Sequence, residues 1–119
     1  MKNNEAEKIE NELKQFTGTE CYFRNFTGLK YTEGIQYLAE KAGAYWLIDL
    51  IASYQYKLKE VLFQVWTLKV NDDKTAVVTC KEDTNEPVII EQKLEYTDFP
   101  LKTFECYCIE GVLLLKSEY

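Results

Sequence analysis

The chain has 119 residues and a formal net charge of −6, because 20 acidic side chains outnumber 14 basic ones. This length predicts a single domain over residues 1–119 with its own core, and the polar residues 1–4 are predicted to be flexible. The acidic balance argues against direct nucleic-acid binding, which requires a basic face. The sequence contains no histidine, which excludes Ser-His and Cys-His catalysis.

The four cysteines, Cys21, Cys80, Cys106 and Cys108, contain no CxxC pair. We therefore predict free thiols, and we favour them over a four-thiolate zinc site because structural zinc sites usually take their ligands from tight turns. No metal or cofactor is predicted. The polar N-terminal segment lacks the apolar stretch of a signal peptide, and no run of about twenty apolar residues is present to span a membrane. We therefore expect a cytoplasmic protein.

The first third of the chain predicts one helix and two short strands. Residues 5–15 are predicted to form a helix anchored by Ile9 and Leu13, and Gly18 suits the left-handed position that ends a helix. The aromatic-rich residues 20–25 predict a strand. A turn at residues 26–28 then leads to a second short strand at residues 29–31.

The central stretch, residues 31–55, predicts a helix or two helical pieces joined near Gly43. Thr32 is a suitable N-cap, because its hydroxyl can accept a bond from the first turn. Residues 45–52 are apolar on nearly every side, which is typical of a helix surrounded by protein.

Asp49 interrupts this apolar stretch. On one continuous helix it would lie in the stripe formed by Leu38, Ala42 and Trp46, where an unpaired carboxylate is costly. We therefore predict that Asp49 is buried and paired with Arg24, which is the one arginine of the chain. Whether its role is structural or functional stays open.

The second half predicts antiparallel strands at residues 62–70, 75–81, 88–96, 103–109 and 112–115. Apolar and polar residues alternate in them, as in a sheet with one exposed face; in the third strand Val88, Ile90, Leu94 and Tyr96 are predicted to face inward. Because short turns join the strands, the prediction is an α+β fold. An antiparallel meander of about five strands would be covered on one face by the central helix, with a short N-terminal helix beside it.

Several segments resemble an uncharacterised family of small bacterial and phage proteins, a domain of unknown function. The resemblance rests on FTGTE, YTEGIQYLAEKAGAYWLIDLIASYQ, FQVWTLKV, YTDFPL and GVLLLKSEY, together with Tyr22 and Arg24. Lys116 stands where the family pattern has proline. The resemblance implies no activity and transfers no functional residue. It implies an accessory or mobile-element gene.

Two functions are predicted as alternatives. The first is a non-enzymatic module that binds a protein partner, such as a phage protein inhibiting a host defence complex; a homodimer also fits. Its candidate interface consists of exposed tyrosines and acidic turns: Tyr54, Tyr56, Tyr119, Asp72, Asp73, Glu82 and Asp83. The second is a cleft for an anionic or nucleotide-like ligand, lined by Tyr22, Arg24, Tyr31, Glu33, Tyr37, Tyr45 and Asp49.

Catalysis is not predicted. The acids Glu20, Glu33, Glu40 and Asp49 are the material for a carboxylate pair, but helical spacing gives only Glu33 and Glu40 a shared side. Ser53 and Ser117 have no visible base.

Overall fold

A computed structural model describes residues 2–18, 21–83 and 85–119. It confirms an α+β fold with three helices and one sheet. The helices are α1 (Lys2–Leu13), α2 (Glu33–Ala42) and α3 (Tyr45–Tyr54). The strands are β1 (Phe23–Arg24), β2 (Lys30–Tyr31), β3 (Phe63–Val70), β4 (Ala76–Lys81), β5 (Val88–Leu94), β6 (Thr103–Ile109) and β7 (Val112–Leu115). No helix in these ranges is long and apolar enough to cross a membrane.

The sheet differs from the predicted five-strand meander. It has seven strands in the order β1-β2-β7-β6-β3-β4-β5, and it is mixed because β2 runs parallel to β7. The consecutive strands β3, β4 and β5 do form a meander, but β6 pairs with β3 rather than with β5. The two short strands predicted in the first third join the same sheet at its far edge.

The segment between β5 and β6 explains this order. Residues 95–102 carry three buried side chains, Thr97, Phe99 and Leu101, and Phe99 packs against the rings of Trp46 and Phe104. Burial of these residues draws the chain across the end of the sheet instead of back along β5. Prediction from turn length alone misses such a crossover.

The predicted alternation is confirmed over most of the sheet. Trp66, Leu68, Val78 and Cys80 are buried on the helix side. One exception is Val65 in β3, which is buried although it lies on the side opposite Trp66. The others are in the third predicted strand, where Val88 and Tyr96 are exposed by 45% and 70%. A β-bulge explains the exposure of Val88. Cys80 pairs with Ile90 and the next residue, Lys81, pairs with Val88, so Ile89 is an extra residue in β5. Val88 therefore lies on the same side of the sheet as Lys81. Tyr96 lies beyond the end of β5.

The central stretch is two helices, as one of the predicted alternatives has it. The Thr32 side chain accepts a bond from the Ile35 N–H, which confirms the predicted N-cap. Gly43, with φ of 61°, ends α2 in the left-handed conformation. Helix α3 then starts anew and buries one face, formed by Leu47, Ile48, Ile51 and Ala52.

This break corrects the prediction for Asp49, which is exposed rather than buried. The predicted stripe assumed one continuous helix from Leu38 onward. The left-handed Gly43 and the non-helical Ala44 reset the rotation of the second helix, so Asp49 falls on the solvent side of α3.

Helix α1 confirms its two predicted anchors, because Ile9 and Leu13 are both buried. It ends at Leu13, well before Gly18, and Gly18 is not among the glycines with positive φ. Residues 2–4, predicted to be flexible, belong to the first turn of the helix, and Met1 lies outside the described residues.

A buried amide network joins the end of α3 to the sheet. Gln55 and Gln64 exchange two side-chain hydrogen bonds of 2.9 Å each, and the Trp66 indole N–H donates to the Gln64 oxygen over 2.8 Å. Gln64 also donates to the Val61 carbonyl over 3.0 Å. Each polar atom that the fold buries here thus has a partner.

Candidate functional site

The β1–β2 hairpin is organised by a single side chain, Asn25. Its Oδ1 accepts bonds from the Thr27 N–H at 2.9 Å, the Thr27 hydroxyl at 2.6 Å and the Leu29 N–H at 3.2 Å. Gly28 completes the turn with φ of 98°, a conformation that a side chain would disfavour. This network holds Phe26 at the tip of the turn, where its side chain is 88% exposed.

The hairpin is tied to the sheet through β2. The Lys30 N–H donates to the Gly111 carbonyl and the Thr32 N–H donates to the Leu113 carbonyl, at 3.2 and 3.1 Å. Tyr31 is buried between them, and the ring of Phe23 stacks on it at a centroid distance of 5.7 Å. The hairpin is therefore a fixed projection of the sheet edge.

Asp49 approaches this hairpin from α3. Its Oδ1 accepts a bond from Asn25 Nδ2 at 3.4 Å, a long contact between exposed groups. The predicted Arg24–Asp49 pair is wrong, since both residues are described and their charged groups do not form an ion pair. Burial raises the pKa of Tyr31, and the nearby charge of Asp49 adds to the rise.

Tyr45, the first residue of α3, interacts electrostatically with Tyr31. Its hydroxyl donates to Glu40 Oε1 over 3.2 Å, and the ring is 41% exposed. Burial of the hydroxyl and the charge of Glu40 raise the pKa of Tyr45, with a smaller contribution from Tyr31. Three of the predicted binding residues, Tyr31, Tyr45 and Asp49, are thus brought together where the hairpin meets α2 and α3.

The other predicted binding residues are dispersed. Tyr22 and Arg24 are exposed on or beside β1, and Glu33 is half-buried in the first turn of α2. Tyr37 lies against α1, where its ring packs on Phe16 at 5.3 Å. Burial raises the pKa of Tyr37 to about 12, and the carboxylate of Glu12 adds to the rise.

The predicted interface residues divide in a similar way. Tyr56 and Tyr119 are exposed, as are Asp72, Asp73, Glu82 and Asp83 in their turns. Tyr54, predicted to be exposed, is instead half-buried: its hydroxyl donates to Gln92 over 2.5 Å and its ring contacts Trp66. Hydrogen bonds from the hydroxyl and N–H of Thr75 hold the pKa of Asp73 below its ordinary value.

Two groups of aromatic residues lie beyond the predicted sites, and of their members only Tyr119 is a predicted interface residue. Phe23 and Phe26 were assigned only to a strand and a turn, although a phenylalanine between Asn25 and Gly28 in a turn is a signal for an exposed ring. The second group lies on the open face of the sheet. There the rings of Phe63, Tyr107 and Tyr119 contact one another at centroid distances between 5.1 and 5.7 Å.

The predicted binding residues do not line the main clefts found among the described residues. One cleft of about 580 Å³ separates α1 from the β3–β4 hairpin and the crossover segment. Its wall carries charges of both signs, from Glu7, Glu10, Asp72, Lys74 and Lys102. Because acidic and basic side chains are mixed in this wall, the cleft favours neither an anionic nor a cationic ligand.

Three of the cysteines belong to the core. Burial raises the pKa of Cys80 and of Cys108 to about 12, and the pKa of Cys106 well above its ordinary value. Cys21 is exposed. Within residues 2–18, 21–83 and 85–119, acids and cysteines do not group into a set that could hold a metal ion. Glu20, considered above as a possible catalytic acid, lies outside those ranges.

Comparison with curated proteins and with solved structures found no match. The model of one protein family, described as a family of unknown function and designated DUF6876, matches residues 7–119. That match begins within α1 and spans the β1–β2 hairpin, α2, α3 and the whole sheet. The chain therefore belongs to the DUF6876 family.

Proposed function

We propose that this protein is a non-enzymatic interaction module that binds a partner protein through the β1–β2 hairpin and the adjoining side of α2 and α3. The observation that carries the proposal is the exposed Phe26, 88% accessible on a turn held by three bonds to Asn25. A large apolar ring in water gains free energy by being covered, and the backbone of this turn, already held by Asn25, loses little entropy on binding.

The surroundings of Phe26 support an interface of ordinary composition. Tyr22, Phe23 and Tyr45 are partly or largely exposed nearby in the hairpin or at its base, and Arg24 and Asp49 supply charges of both signs. Aromatic residues and arginine are enriched at protein interfaces, while charged groups typically form the rim. The net charge of −6 favours a partner with a basic surface.

The resemblance to bacterial and phage proteins extends this proposal to a biological setting. We propose an accessory role, with inhibition of a host defence complex as the leading case. The exposed acidic turns at Asp72–Asp73 and Glu82–Asp83 support it, because they would repel nucleic acid and attract the basic surfaces that bind nucleic acid.

The test begins with affinity capture from the native host, with the recovered proteins identified by mass spectrometry. The partner is then titrated against the wild type, Phe26→Ser and Val88→Ser. We expect Phe26→Ser to weaken binding by about tenfold or more, which corresponds to about 1.4 kcal/mol. Val88→Ser is the matched control, since Val88 is an exposed apolar residue at the opposite edge of the sheet. Equal binding by all three proteins would contradict the proposal.

The alternative is a small-molecule site, and the grouping of Tyr31, Tyr45 and Asp49 favours it. In this case the tyrosine rings would contact the flat part of the ligand, and Arg24 would bind an anionic part that extends to the opposite face of the hairpin. A panel of anionic metabolites should then raise the melting temperature of the wild type and not that of Arg24→Ala. An equal rise in the melting temperature of Arg24→Ala would contradict this alternative.

A further inference from the structure

We infer that two copies of this chain associate by pairing their β5 strands antiparallel, which joins the two sheets into one. β5 is the last strand of the sheet, and its free side has no strand beside it among the described residues. The other edge is β1, which has only two residues. A long open edge is a template for pairing with another strand, and proteins normally protect it.

The backbone of β5 has free hydrogen-bonding groups at this edge. In the β3–β4 hairpin the Asn71 N–H donates to the Thr75 carbonyl at 2.8 Å, which identifies a hydrogen-bonded pair. Because hydrogen-bonded and non-hydrogen-bonded pairs alternate along β3 and β4, the N–H and C=O groups of Val78 point away from β3 and toward β5. Val78 pairs with Gln92, so the N–H and C=O groups of Gln92 point toward β4. The N–H and C=O groups of Glu91 and Lys93 are therefore directed at the open side.

The charges of β5 select one register for a symmetric pair. A two-fold axis through Gln92 places Glu91 of each copy opposite Lys93 of the other, so two pairs of opposite charge form. A shift of the axis to residue 91 places Glu91 against its own copy, and a shift to residue 93 does the same with Lys93. Like charges directly opposite each other are destabilising, so both shifted registers are disfavoured.

The same register also matches the apolar residues. It places Ile90 of one copy opposite Leu94 of the other on the helix side, where both are half-buried in the single chain. The bulge at Ile89 lies outside residues 90–94, so it does not interrupt the pairing. Glu91 and Lys93 would protect the edge against other strands while permitting a second copy of this one.

Charge reversal tests the inference without touching the core, because Glu91 and Lys93 are both exposed. Sedimentation over a range of concentrations should show a dimer for the wild type. Glu91→Lys should raise its dissociation constant by about tenfold or more, since two lysine pairs would then face each other. The double variant Glu91→Lys/Lys93→Glu should restore the wild-type value. Glu60→Lys, an equal charge change at an exposed position elsewhere, should leave it unchanged.

A disulfide tests the register. In a Cys21→Ser background, Gln92→Cys places the two introduced thiols at the axis, within the separation that a disulfide spans, and mild oxidation should link the copies. Cys21→Ser/Lys69→Cys, exposed in the middle of the sheet, should stay unlinked. Any one of three results would overturn the inference. The wild type could remain monomeric, the dissociation constant could be unchanged in Glu91→Lys, or no disulfide could form between the two copies of Gln92→Cys. The β1–β2 hairpin is not involved, so its variants leave these results unchanged.

Discussion

The hydroxyl of Thr32 donates to the carboxylate of Glu118 over 2.6 Å, which links the N-cap residue of α2 to the end of the chain. The same carboxylate accepts bonds from the Leu115 N–H at 3.0 Å and from the Gly34 N–H at 3.2 Å. Glu118 therefore serves as a second cap for α2, because it satisfies a free N–H and places negative charge at the positive end of the helix dipole.

Gly34→Ala should destabilise the protein. A Cβ at residue 34 would lie 2.5 Å from Leu115 Cδ1 and 2.6 Å from Glu118 Oε1, so both side chains would have to shift and the bonds to the Glu118 carboxylate would be disturbed. We expect a loss of about 1–3 kcal/mol in the free energy of unfolding, measured by urea denaturation. The control is Gly18→Ala, where an added Cβ meets no atom within 4 Å and φ is not positive. Equal stability of the two variants would contradict the close approach.

Glu118→Ala should also lower stability, by about 1–3 kcal/mol, because a partly buried hydroxyl and two backbone N–H groups lose their acceptor. Thermal and urea unfolding followed by circular dichroism measure the change. Glu60→Ala, which removes an exposed glutamate from a connecting segment, provides the comparison. If both variants unfold alike, the cap does not contribute.

Gln64→Leu should be costly although it replaces a polar residue in the core by an apolar one of similar size. The substitution leaves the Trp66 indole N–H and the Gln55 amide without their partner. We expect a loss of about 2–4 kcal/mol, since each unsatisfied buried group costs about 1–3 kcal/mol. Gln92→Leu, which removes one bond to Tyr54 in a half-buried setting, should cost less. The opposite ranking in denaturant unfolding would show that the network is dispensable.

Thiol reactivity should separate Cys21 from the other cysteines. Cys80, Cys106 and Cys108 are buried with raised pKa values, so little reactive thiolate is available in the folded state. With Ellman's reagent near neutral pH, we expect one fast equivalent in the folded protein and all four in denaturant. Cys21→Ser should abolish the fast phase. A second fast equivalent would mean that the core opens readily.

Acid should weaken the pair between Lys116 and Glu105, whose charged atoms lie 2.8 Å apart. Burial alone would raise the pKa of Glu105, but Lys116 and the Thr67 hydroxyl together hold it below its ordinary value. The ionised group thus stabilises the fold above the pKa of the unfolded state, and this contribution is lost as pH falls through the lower folded value.

Glu105→Gln should therefore reduce stability by about 0.2–1 kcal/mol near pH 7, because solvent screens a pair in which Lys116 is exposed and Glu105 is half-buried, and the deficit should shrink toward pH 3. Urea unfolding at several pH values measures it. Glu95→Gln, at an exposed position, should show no such trend. A deficit that is constant over this pH range would rule out the ionic contribution.

Local patterns predicted the parts of this fold that depend on near neighbours. The cap at Thr32, the break at Gly43, the anchors of α1 and the alternation of β4 all follow from spacing and side-chain chemistry over a few residues. The features that escaped prediction depend on residues distant in sequence. The position of β6 beside β3 is set by the burial of Phe99 and its neighbours, and no turn signal records it.

The candidate site shows the same division. The pairing of residues 24 and 49 depends on a buried Asp49 and is wrong, because the rotation of α3 after Gly43 decides where Asp49 faces. The approach of Tyr31 and Tyr45 to Asp49 depends on how a hairpin and two helices meet. The exposure of Phe26 could have been anticipated from its turn; its rigid support by Asn25 becomes visible only in three dimensions.

The ladder between β3 and β6 also bears on how the protein folds. It joins two pieces of the sheet, β3-β4-β5 and β6-β7, each of which is built from neighbouring segments and can assemble early. Their docking requires the intervening chain to close a long loop, so we expect it to limit the folding rate. Until that step both pieces expose unpaired strands, and crowding of newly made chains would then favour aggregation over the native state.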